Sequence, residues 1–118
     1  MRKFILAAAM SAFALPAFAI GNVSVVGQAG LGNAQGTYQS GDFNVSGTGQ
    51  LGIANRSVTR QRGAFNASGT GQVGILNNSV TRQFGGGNGS LTLQSGALHQ
   101  SSTTQVGGGN VSITSQSE

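Results

Sequence analysis

The sequence predicts an all-β chain folded as a two-sheet β-solenoid, with stacked strand–arc–strand rungs of 22 residues in a cross-β, amyloid-like arrangement. Three observations carry this expectation. The segment Asn66–Gln83 (NASGTGQVGILNNSVTRQ) repeats Asn44–Gln61 (NVSGTGQLGIANRSVTRQ) at 14 of 18 positions, 22 residues downstream. Between its fixed Asn and Gln residues the sequence alternates with the period of two that marks strands. A glycine follows almost every such segment in constant register.

The first residues stand apart from this pattern. Basic Met1-Arg2-Lys3 leads into apolar Phe4–Leu15, then Pro16, then the small-x-small site Ala17-Phe18-Ala19. This is the pattern of a secretory signal peptide over residues 1–19, cut between Ala19 and Ile20. The apolar run is too short for a spanning helix. The repeat domain is residues 20–118. It carries four arginines (Arg56, Arg60, Arg62, Arg82), no lysine and two acids (Asp42, Glu118). The sequence pI of about 11.4 is read as a scarcity of acids and not as a basic patch. Nucleic acid is therefore disfavoured as a partner, because its binding needs clustered Lys and Arg. The chain has no cysteine, so an exported domain here holds together without disulfides. Gly, Ser, Thr, Asn and Gln dominate, which argues against a conventional apolar core. Composition alone would fit a disordered or prion-like segment, but the strict period argues for order.

Two series set the register. Asn22, Asn44, Asn66, Asn88 and Asn110 step by 22, as do Gln28, Gln50, Gln72, Gln94 and Gln116. Between them run Asn33, Asn55, Asn77 and then His99, with Gln39, Gln61, Gln83 and Gln105. The unit is thus 11 residues, N-x5-Q-x4, used nine times: 22–32, 33–43, 44–54, 55–65, 66–76, 77–87, 88–98, 99–109 and 110–118. The arc glycines are Gly30, Gly41, Gly52, Gly63, Gly74, Gly85, Gly96 and Gly107.

Within each x5 segment the third and fifth unit positions are mostly Ser and Thr, giving a face N-x-S-x-T-x-Q. The opposite face carries Arg56, Arg60 and Arg82 among small and apolar residues. An unpaired Arg is too costly inside a thin two-sheet core, so the arginine face is expected outside and the Asn/Ser/Thr/Gln face inside. The Q-x-G-x-x-N arcs must reverse the chain tightly, with the glycine supplying a backbone conformation of positive φ. Apolar arc residues such as Phe43, Phe65 and Leu76 are expected to stack along the two edges. Stacked Asn and Gln are expected to bond amide to amide along the axis, and the inward hydroxyls to do the same. Such pairing matters because a buried polar group left alone costs about 1–3 kcal/mol.

The unit N-x5-Q-x-G-x-x-N-x5-Q resembles the curlin repeat, S-x5-Q-x4-N-x5-Q, and QFGGGN (Gln83–Asn88) and QVGGGN (Gln105–Asn110) look like curlin arcs. The likeness covers essentially all of residues 20–118. Two positions differ: Asn stands where curlin favours Ser, and the inward Ser/Thr stand where curlin often has Leu, Ile or Ala. The resemblance implies a secreted subunit of an extracellular, cell-surface fimbrium of a Gram-negative bacterium. Its partners would be further copies of itself, a nucleator or major curli subunit, and the outer-membrane curli secretion pore. The Asn and Gln positions of the two series, with His99, would be its amyloid ladder, serving adhesion and biofilm matrix.

No catalytic constellation is visible, and neither a cofactor nor a small-molecule substrate is implied. There is one histidine in the chain and the two acids lie far apart. His99 reads as a substitution near the end of the Asn ladder, and its protonation is expected to weaken stacking there. A calcium-binding repeat would need an Asp in every turn, and only Asp42 is present. The arginines cluster in the middle repeats and read as charge gatekeepers against premature aggregation, with binding of acidic surface polymers or extracellular DNA as the alternative. Two other readings compete: a nucleator or minor subunit, and, from a different class, an ice-binding solenoid that uses the S-x-T array on an outward face.

Overall fold

A computed structural model describes residues 21–118. The expected signal peptide and the Ala19–Ile20 cleavage pair lie outside the described residues. Alternating short side chains between fixed amides fold as nine strands: β1 Val23–Leu31, β2 Ala34–Ser40, β3 Val45–Ile53, β4 Arg56–Ala64, β5 Ala67–Ile75, β6 Asn78–Gly86, β7 Gly89–Ala97, β8 Gln100–Gly108 and β9 Val111–Ser117.

Odd and even strands separate into two parallel sheets, ordered β1-β3-β5-β7-β9 and β2-β4-β6-β8. Each strand pairs with its counterpart 22 residues on, and the register never slips. Ser46 lies beside Ser68, Thr48 beside Thr70 and Gln50 beside Gln72. Parallel pairing needs a crossover connection, and here the strand of the opposite sheet is that crossover. The result is the two-sheet β-solenoid that the period implies.

The interior is polar. No hydrophobic residue is buried among the described residues, whereas Asn44, Asn55, Gln61, Gln72, Thr81 and Gln83 are fully inaccessible. The inward N-x-S-x-T-x-Q face and the outward arginines follow the sequence expectation. Apolar residues line the edges instead. Phe43 and Phe65, one rung apart, stack with ring centroids 5.3 Å apart and planes 10° from parallel.

The arcs are tighter than the sequence pattern implies. Strands do not stop at Gln but run on through Gln-x-Gly, so β3 and β4 are separated by Ala54 and Asn55 alone. Gly52 bends the chain at φ 125° without ending the strand pairing. A Cβ on Gly30 would lie 1.8 Å from the carbonyl oxygen of Gly52 in the next rung, and one on Gly52 1.9 Å from that of Gly74. The glycine is thus demanded twice, by its own φ and by the rung above. A second left-handed residue completes each corner, immediately before the Asn. It is not always glycine: Phe43, Ala54, Phe65, Leu76 and Leu98 take φ of 54–64°. The QFGGGN and QVGGGN corners place Gly87 and Gly109 there. A non-glycine residue in this region costs about 1–2 kcal/mol. Ala54, Phe65, Leu76 and Leu98 are each held by a backbone bond to the rung below, as in Leu76 N–H to Ile53 C=O at 2.9 Å.

Candidate functional site

The chemistry of this chain lies in its axial amide ladders. Gln50 Nε2 donates to Gln72 Oε1 at 2.7 Å, and Gln72 Nε2 to Gln94 Oε1 at 2.7 Å. In the other sheet Gln39, Gln61, Gln83 and Gln105 form the matching chain at 2.8 Å per step. The second proton of each buried amide goes to a backbone carbonyl, as in Gln61 to Val45 O at 2.9 Å and Gln72 to Arg56 O at 2.9 Å. A primary amide carries a donor and an acceptor on separate atoms, so one side chain spans the rung spacing of about 4.8 Å.

The asparagines work differently. Asn55 Oδ1 accepts the backbone N–H of Asn77 one rung above, at 3.1 Å. Asn55 Nδ2 donates backwards to Leu51 O at 3.2 Å and upwards to Gly74 O at 3.0 Å. Asn is therefore a corner clamp. It holds the glycine carbonyl that leaves no room for a Cβ below it. In one series a direct amide–amide bond is added, Asn88 Nδ2 to Asn66 Oδ1 at 3.0 Å.

The expected hydroxyl ladder is absent. Ser46, Thr48, Ser57, Thr59, Ser68, Thr70, Ser79, Thr81, Ser90 and Thr92 are buried, and their hydroxyl oxygens have no hydrogen-bond partner. The reason is reach. A hydroxyl is donor and acceptor on a single atom, and a neighbour about 4.8 Å away lies well beyond an O–H···O bond of about 2.8 Å. The Ser and Thr therefore act through size and shape, as small fillers between the sheets.

His99 occupies an Asn position and reproduces its contacts. Its N–H donates to Asn77 Oδ1 at 3.1 Å, and its Nε2 lies 3.0 Å from Ser95 O. A carbonyl only accepts, so the proton sits on Nε2 and, in the neutral ring, Nδ1 is left as an acceptor. Nδ1 then corresponds to the Oδ1 of Asn, at the end of its ladder, where β8 is the last strand of its sheet among the described residues.

The four arginines, which the sequence clusters in the middle repeats, fall on one sheet. Arg56, Arg60 and Arg62 are on β4 and Arg82 on β6, all exposed on the outer face of the four-stranded sheet. Arg60 and Arg82 are direct lateral neighbours. The charge is thus a local basic patch, correcting the expectation from composition. Its cause is parity: both contributing units are even-numbered and share a sheet.

No group of three or more His, Cys, Asp or Glu side chains suited to a metal ion occurs among the described residues. No protein-family model and no curated protein matches the chain.

Proposed function

We propose that this chain is a secreted structural subunit that assembles end to end into curli-like extracellular amyloid fibres, serving surface adhesion and biofilm matrix. The observation that supports it is the open ladder. Every rung satisfies the one below through Gln, Asn and backbone groups at constant register, and the outermost strands of the described residues present those groups to solvent. β1 is exposed at all nine of its positions, although it carries the pattern that is buried in β3 and β5. Unpaired strand edges template further strands, and solenoids that remain monomeric cover theirs. Its expected partners are further copies of itself, a nucleator or major subunit, and the outer-membrane curli pore. The test is seeding. The chain from Ile20 to Glu118 should polymerise after a lag, and sonicated fibres of the same chain should abolish that lag. A chain that never polymerises alone but speeds another subunit is the nucleator instead.

The ice-binding alternative needs the S-x-T array on an outward face. Ser46, Thr48, Ser68 and Thr70 are at most 6% exposed, which leaves no hydroxyl plane for ice to meet.

A further inference from the structure

The two ends of the solenoid are stepped. Among the described residues the odd-strand sheet has five strands and the even-strand sheet four, so no described strand faces β9 across the core. Above the free edge of β8 is an open cleft of about 480 Å³, lined by Thr103 and Gln105 on one side and Ser112 and Thr114 on the other. At the opposite end β1 projects past β2, its inward-patterned Val26 45% exposed.

We propose that the occupant of the cleft is β1 of a second copy of the chain, turned by about half a revolution about the solenoid axis. The inference rests on the self-assembly reading. A half-turn exchanges the two sheets, so β1 of the second copy pairs with β8, and its β2 pairs with β9. Both free edges at one end meet both free edges at the other. Stacking without rotation pairs β1 with β9 alone and leaves a lane about one strand wide, about 4.8 Å, unfilled over β8.

The hydrogen-bonding sense agrees. Every ladder Gln with a described rung above it donates towards that higher-numbered rung. Gln105 and Gln116 at the upper end therefore each hold a spare N–H, and Gln28 and Gln39 at the lower end each hold a free Oε1. The half-turn joins Gln105 to Gln28 and Gln116 to Gln39. Upward-facing Asn110 Oδ1 receives the N–H of the second copy's Asn33. His99 Nδ1 receives that of its Asn22. Unrotated stacking joins Gln116 to Gln28 and leaves Gln105 and His99 unmatched.

Cysteine pairs distinguish the two arrangements, because the chain has no native cysteine. Val25 and Ile113 are 63% and 73% exposed, and Ser102 is also exposed, so each tolerates the change without entering the core. Laterally paired outward residues about 4.8 Å apart fall within disulfide range. In the half-turn arrangement Val25 of one copy lies beside Ser102 of the next. In the unrotated one it lies beside Ile113. Fibres of the V25C/S102C variant, oxidised after assembly, should run as a ladder of covalent multimers under non-reducing denaturation. Fibres of V25C/I113C should run as monomer. The reverse result, or fibres in which neither pair links, overturns the half-turn. Absence of fibres in both variants and in the parent overturns the self-assembly reading, and the docking with it.

Discussion

Gln72 Nε2 donates to Gln94 Oε1 at 2.7 Å, with Gln72 fully inaccessible and Gln94 2% exposed. The pair sits two residues from Thr70 and Thr92, which are also buried but make no side-chain hydrogen bond. Two kinds of inward polar residue therefore have opposite energetic roles, and substitution separates them. Gln72→Ala strands the Gln50 donor and the Gln94 acceptor at about 1–3 kcal/mol each. It should sharply lower the denaturant concentration at which fibres dissolve. Thr70→Val keeps the shape and removes an unpaired hydroxyl, so its midpoint should equal or exceed the parent's. Equal losses in both variants would contradict the assignment.

The corners give a second contrast. Gly52→Ala places a methyl 1.9 Å from Gly74 O and strains a φ of 125°, so it should abolish ordered assembly. Ala54 is two residues on at φ 55°. There Ala54→Gly should stabilise by about 1 kcal/mol, by relieving left-handed strain. Denaturation of the two variants beside the parent reads both signs.

Much of this was legible in the sequence, because the 22-residue step of Asn and Gln fixes parallel in-register pairing and the even spacing of the halves fixes two sheets. Arg56, Arg60 and Arg82 correctly turned the other face inward. Three features were not read. The left-handed corner at Leu76 is hidden by an ordinary helix- or strand-compatible side chain, and its signal was the glycine at the same position in the 77–87 and 99–109 units. The idle hydroxyl of Thr70 follows from comparing rung spacing with bond length. The arginine patch follows from counting unit parity, which a net charge conceals.

That patch leads to a kinetic prediction. Arg60 and Arg82 are stacked like charges, which oppose pairing by about 0.2–1 kcal/mol. Arg60→Thr matches the Thr104 already in that row and should speed growth by up to about five-fold, the rate equivalent of that energy. Added salt should speed the parent and leave the variant nearly unchanged. A variant slower than the parent at low salt would refute the gatekeeping role.

The central claim is that the 22-residue ladder within one molecule continues into the next. Fibre diffraction from the purified Ile20–Glu118 chain tests it most directly. The account predicts fibres with an axial reflection near 4.8 Å and an equatorial one near 10 Å, the spacings of stacked strands and facing sheets. A chain that stays soluble and monomeric after days of incubation, or fibres lacking the axial reflection, would contradict it.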